Sequence, residues 1–232
     1  LCPDMGGIAE MKIAERFDHP VQVLLFNAWG GDMSPGDDEV DPGTPGADLP
    51  DGFEKMEGLG DVLADTIHPE LDAIVYTDTP DLRTRTRRIQ LGREALGYGD
   101  DEFPYEWGGV YCGGAGDGNS VDDTPLEDID QACVPFPEDE PAPDLTLVTV
   151  GQIDSMYFVT GTGEWVTNLA DNLLADISAV AGTDDLMFIG YAQDYTGYSV
   201  SEDDWWQGGY EAGGTLWGPK QGDHIAARSA EV

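Results

Sequence analysis

Apolar positions in this chain fall into short runs separated by long stretches of Asp, Pro and Gly. Residues 21–26 (VQVLLF) form a continuous apolar run of strand length and predict a buried strand. Residues 71–77 predict a second strand. Residues 83–89, in which Arg alternates with Thr, predict a half-exposed one. Residues 145–150 and 156–160 predict a hairpin joined at Gln152-Ile153-Asp154, and residues 186–189 a further strand. Helical spacing recurs at Leu59, Val62, Leu63 and Thr66, and again at Leu169, Leu173, Ile177 and Val180. Residues 36–52 read as a linker, whereas residues 97–143 are too long for a simple connection and predict an excursion or lid. Mixed strands and helices without an internal repeat predict an α/β class (mixed α+β). The expected architecture is one domain over residues 1–232, with a mixed sheet core, helices and long acidic loops.

Charge narrows the partners. The chain has 232 residues and carries 47 acidic against 10 basic residues, a formal net charge of −37. Nucleic acid and anionic membrane surfaces repel such a protein. The acids are spread over loops and form no EF-hand series, so they are read as a hydrated surface. The basic cluster Arg83, Arg85, Arg87 and Arg88 reads as the solvated face of a strand, with pairing to local acids as the alternative. No stretch reaches the roughly 18 apolar residues of a membrane span.

The cysteines are Cys2, Cys112 and Cys133, with no CxxC pair. Cys112 and Cys133 share the segment that lacks apolar anchors, where a disulfide would stabilise it; such a bond implies an exported protein, extracellular or periplasmic. The opening Leu-Cys-Pro-Asp has neither an initiator Met nor a signal core, and is expected to be a cut or incomplete N-terminus.

Candidate chemistry lies in three Gly-containing loops that are expected to follow strands: Gly31-Asp32-Met33-Ser34-Pro35, Gly163-Glu164, and the run from Tyr195 to Tyr198. Strand-end loops of one sheet can converge on one site, and a carboxylate, a serine and phenols would make it oxygen-rich. Each motif also has a plainer reading. Asp32 suits a turn or helix cap, and Glu164 suits the first turn of a helix.

The order Gly-Asp-x-Ser-Pro, Gly-Glu ahead of a helix, Tyr-x-x-Tyr, then Tyr-Glu-Ala-x-x-Thr-x-x-Gly-Pro at residues 210–219, resembles the neutral/alkaline (non-lysosomal) ceramidase family. It matches the later part of that family's catalytic domain, from Val21 to about Pro219. The resemblance implies a zinc enzyme that hydrolyses the N-acyl amide of ceramide or a similar lipid amide. It places one zinc ligand at Glu164 and another at Tyr198, with Tyr195 as the fallback. It also puts Ser34 on the reacting amide, with Asp32 beside it in the same motif, and Tyr210 on the developing oxyanion. The family's two zinc histidines belong to an earlier segment, and His19, His68 and His224 lie in no matching motif. The expectation is therefore a chain bearing half of a zinc site, as a fragment or a truncation. The alternative is an exported acidic binding protein that keeps the fold without the metal.

Overall fold

The computed structural model describes residues 4–33, 52–71, 73–99, 143–207 and 209–232. Backbone contacts divide the chain into two compact units: Leu1–Phe26 with Ser34–Thr79, and Asn27–Met33 with Pro80–Val232.

In the first unit two helices pack together, α1 (Asp4–Ala14) and α2 (Phe53–Leu71). Ala9, Ile13 and Ala64 are buried, and Gly60 lets Ile8 come close to the α2 backbone. Lys12 pairs with Asp61 at 3.1 Å, and Arg16 bonds both the Ala64 carbonyl and the Asp65 carboxylate. Two expected strands are absent here. Residues 21–26 have no regular structure and leave Leu24 and Phe26 exposed; Leu71 closes α2, and Ile74, Val75 and Tyr76 follow in irregular, exposed backbone. An apolar run becomes a strand only where a neighbour supplies ladder hydrogen bonds, and among the described residues none pairs with either run.

The second unit is built on a four-stranded sheet in the order β1-β2-β3-β5. Strand β1 (Leu82–Gln90) pairs antiparallel with β2 (Leu145–Ile153), which forms a hairpin with β3 (Met156–Thr160). The turn takes Asp154 into the left-handed region at φ 53°. A two-residue strand, β4 (Glu164–Trp165), follows and leads into helix α3 (Thr167–Ala181). Strand β5 (Leu186–Ile189) then pairs parallel with β3, so α3 is the crossover that a parallel pair requires. Leu169, Leu173 and Ile177 repeat every four residues along α3 and share a core with Val148, Val159 and Phe188. Gly182 ends the helix at φ 71°, its N–H donating to the Ser178 carbonyl.

Past β5 come β6 (Tyr198–Ser199), the short helices α4 (Glu202–Gln207) and α5 (Tyr210–Gly213), and α6 (Gln221–Ala230). The basic strand is a solvated face, exposed at every position but Ile89, and two of its arginines also meet acids. Arg83 pairs with Asp81 at 2.6 Å, Arg87 with Glu231 at 2.6 Å, and Arg228 shares Glu231 at 2.9 Å. Mixed strands and helices make this an α/β fold, the class read from the sequence.

Candidate active site

Strands β4 and β6 form a separate parallel pair in which Glu164 stands opposite Tyr198, and Trp165 opposite Ser199. Directly paired residues project to the same face of a sheet, so the register alone brings the Glu164 carboxylate beside the Tyr198 phenol. The pair is fixed by neighbouring backbone: Glu164 N–H donates to Gly197 O at 3.0 Å, Val166 N–H to Ser199 O at 3.2 Å, and Tyr198 N–H to Gly214 O at 3.1 Å. Two glycines permit this stacking. Gly163 (φ 68°) and Gly197 (φ 69°) are both left-handed, and a Cβ on either would strike a facing carbonyl oxygen, that of Gly197 or that of Gly214.

Phenols surround the carboxylate. Tyr195 donates to Glu164 Oε1 at 2.5 Å and Tyr191 to Oε2 at 3.4 Å. Tyr198 faces the same carboxylate across the strand pair, and its ring meets that of Tyr210 edge-on, with centroids 5.6 Å apart. Lost hydration around the hydroxyls, reinforced by hydrogen bonding to Glu164 and by its charge, holds Tyr195 and Tyr198 well above the ordinary phenol range. Tyr191 is raised too, through lost hydration and then the Glu164 charge. All three therefore remain hydrogen-bond donors through neutral and mildly alkaline pH. Loop backbone strain points to the same place: Tyr191 (φ 53°) and Gln193 (φ 71°) are left-handed without being glycine. Gln193 is held there by accepting from Thr160 Oγ1 at 3.1 Å and donating to Thr149 Oγ1 at 2.7 Å.

Asp32 lies at the start of α3. Its carboxylate accepts from the Thr167 N–H at 2.9 and 3.0 Å and from Thr167 Oγ1 at 2.8 Å, while Val166, the residue at the cap position, contributes no side-chain bond. A carboxylate at a helix N-terminus satisfies free N–H groups and complements the helix dipole. This cap arrives from far along the chain, and Gly31 N–H adds a bond to Trp165 O at 2.8 Å. The Asn27–Met33 segment is thus tied to the strand that carries Glu164. Ser34, Cys2, Cys112 and Cys133 lie outside the described residues, as does 100–142 of the expected excursion.

The histidines go elsewhere. His19 contacts Asp18 at 2.8 Å on the surface of the first unit, and His68 sits within α2. His224 contacts the Gln90 carbonyl at 3.0 Å, and burial draws its pKa below the usual imidazole value. Among the described residues no group of three or more His, Cys, Asp or Glu could hold a metal ion. Glu164 and Tyr198 supply two hard oxygen donors, where a catalytic zinc takes three protein ligands. By themselves the described residues do not fit zinc.

Two site residues escaped the sequence reading. Tyr191 belongs to the Tyr- and Gly-rich run, yet nothing in its spacing separates it from a loop aromatic. Gln221 is fully buried on α6, donating to the Thr196 and Tyr198 carbonyls at 2.9 Å each. A single Gln has no sequence signature of that kind.

No protein-family model matches the chain, and no curated protein matches it. Solved structures do. The neutral ceramidase from Pseudomonas aeruginosa superposes with a TM-score of 0.66 at 15% identity, over 99% of this chain and 40% of that one. A ceramidase complexed with C2 superposes with a TM-score of 0.68 at 14% identity, over 99% of this chain and 42% of that one. The chain thus spans about two-fifths of the length of these neighbours. At such identity the likeness is one of fold, and the fold of this chain is ceramidase-like.

Proposed function

We propose that this chain is the later part of a zinc-dependent hydrolase domain acting on the N-acyl amide of ceramide or a similar lipid amide. The observation that carries the reading is the β4–β6 register, which sets Glu164 against Tyr198 and gathers Tyr191, Tyr195 and Tyr210 around them. Superposition on two ceramidases supports it independently of the motifs. Glu164 and Tyr198, with Tyr195 as substitute, are the oxygen donors this chain offers to zinc; the remaining donors come from outside the described residues.

The chain's own groups have definite roles under this reading. Hydrolysis of an amide develops negative charge on the carbonyl oxygen, and a neutral phenol aimed at that oxygen stabilises it. Tyr210 fills this role, with its ring placed by Tyr198. Tyr195 and Tyr191 hold the two carboxylate oxygens of Glu164 in one orientation. Asp32 positions the Glu164 strand through the α3 cap, and Ser34, two residues on, contacts the substrate amide.

Among the described residues no helix is long and apolar enough to cross a membrane. With a net charge of −37, presentation on anionic vesicles should slow the reaction relative to neutral micelles. The reading includes export with a Cys112–Cys133 disulfide, which non-reducing peptide mapping would reveal; free thiols at both positions would count against it.

The decisive experiment measures zinc content and release of fatty acid from a short-chain ceramide by the full-length protein and by E164Q, Y198F and Y210F variants. E164Q and Y198F are expected to lose zinc and activity together. Y210F is expected to keep zinc and lose about 10²–10³-fold in kcat, as for one oxyanion donor. Zinc retained in both E164Q and Y198F would remove them from the metal site. A protein that folds, binds lipid amides and leaves them intact would establish the second reading, an exported acidic binding protein. The shortage of metal donors among the described residues is what favours that alternative.

A further inference from the structure

The tyrosine loop is held from below by one side chain. Gln221 opens α6 and is 0% exposed. Its Nε2 donates to the carbonyls of Thr196 and Tyr198, each at 2.9 Å, and its Oε1 accepts from the Trp217 N–H at 2.9 Å. Both carboxamide hydrogens and the oxygen are therefore engaged, which leaves no donor of a buried amide unmade. The next residue, Gly222, lies so close to the Val200 carbonyl that a Cβ there would collide with it. The α6 N-terminus is thereby pressed against the backbone just past β6.

The two carbonyls Gln221 grips flank Gly197, the left-handed residue whose own carbonyl accepts from the Glu164 N–H. Within three residues, then, the loop is held on one side by Gln221 and on the other by the strand that carries Glu164. Tyr198 sits at that junction: Gln221 donates to its carbonyl, the Gly214 carbonyl accepts from its N–H, and Glu164 stands opposite it in the β4–β6 register. A peptide fixed at both its donor and its acceptor leaves the side chain only its own rotamers. Trp217, bound through its N–H to Gln221, ties the segment after Tyr210 into the same clamp.

We propose that Gln221 is a positioning residue of the candidate site, whose carboxamide sets the Tyr198 peptide so that the phenol meets Glu164 and Tyr210. This rests on the reading of the Glu164–Tyr198 pair as the working centre, but the positioning can be measured without any substrate. Some buried polar side chains in this unit satisfy nearby backbone only: Ser229 donates to Ile225 O one turn earlier in the same helix at 2.8 Å. Gln221 differs in tying the 196–198 loop, 23 to 25 residues away in sequence, to the turn just ahead of its own helix.

The test uses protein labelled with 3-fluorotyrosine, with the Tyr198 and Tyr210 resonances assigned through Y198F and Y210F. Gln221→Met keeps the side-chain volume and removes all three bonds; Ser229→Ala serves as a destabilising control in the same helix. In Q221M the Tyr198 resonance is expected to move most of the way to its unfolded position, with loss of the Tyr198–Tyr210 cross-peak. In S229A both should stay in place at comparable loss of melting temperature. A folded Q221M with unchanged Tyr198 and Tyr210 resonances would overturn the proposal, and so would equal displacement in S229A.

Should Q221M not fold, hydrogen exchange of the unmodified protein decides. The Gln221 carboxamide protons should exchange far more slowly than those of exposed Gln22, in step with the Tyr198 amide. Exchange as fast as that of Gln22 would refute the clamp. Displaced resonances in Q221M, in a protein that hydrolyses no amide, would leave the clamp standing and refute the hydrolase reading instead.

Discussion

Residues 21–26 (VQVLLF) and β5, Leu186–Ile189 (LMFI), have nearly the same local character: short, of strand length, and apolar apart from Gln22. The first is irregular and leaves Leu24 64% exposed; the second is a paired strand with Phe188 3% exposed. The difference lies in the neighbours. β5 receives a parallel ladder from β3 and its Phe188 is covered by Trp165 and Trp29, whereas residues 21–26 find no ladder among the described residues. Hydrophobic runs mark where burial would be favourable, and the hydrogen bonds of a partner strand decide where it happens.

Substitutions can break that comparison from either side. The largest effect is expected in the core that covers the sheet. Leu173→Ala removes a side chain that is 1% exposed, and should cost about 2–5 kcal/mol in denaturant unfolding. A loss below about 1 kcal/mol would show that α3 does not pack on the sheet as described.

Next comes the long-range cap. Asp32→Ala leaves the Thr167 N–H and hydroxyl without their acceptor and should destabilise by about 0.5–2 kcal/mol. Because the same segment bonds the Glu164 strand, the Tyr195 environment should change in the same variant, as read by its fluorotyrosine resonance. A stability loss with no change at Tyr195 would separate the cap from the site.

Smaller still is the pH response of His224. Burial, set against its contact with Gln90 and helped by Arg228, lowers its folded pKa below the unfolded value near 6.5. The unfolded chain then binds a proton that the folded one refuses. Stability should be full above about pH 7 and fall as the pH drops through the unfolded value. The melting temperature of His224→Gln, followed from pH 7.5 to 5.5, should fall less steeply than that of the unmodified protein; parallel slopes would refute the assignment.

The smallest effect is expected where the apolar run stays open. Val75 is 92% exposed, so Val75→Ser should change stability by less than about 0.5 kcal/mol. A substantially larger loss would mean that residues 74–76 are covered after all.

Much of the second unit could be read directly. The period of two in the Arg–Thr stretch marked β1, and the spacing of Leu169, Leu173, Ile177 and Val180 marked α3, although Val180, beside the helix end, is exposed. Helices α1 and α6 were not foreseen. α1 carries two adjacent glycines, Gly6 and Gly7, and α6 is largely polar with Ile225 as its one large buried aliphatic side chain, so neither shows a strong apolar stripe. At the site, Glu164, Tyr195, Tyr198 and Tyr210 were named from motif order, and the structure brings these four together. Asp32, named with them, is directed to Thr167.

The sequence by itself determined the α/β class, the acidic surface, the hairpin and crossover helix, and the loops that carry the tyrosines. Each follows from local periodicity, turn chemistry or charge, which act over a few residues. Tertiary structure decided which apolar runs became strands, where the Asp32 carboxylate went, and why Gln221 is buried with every bond made. Those outcomes depend on backbone groups many residues away, and a hydrogen bond to a distant carbonyl leaves no trace in the pattern of the residues beside it.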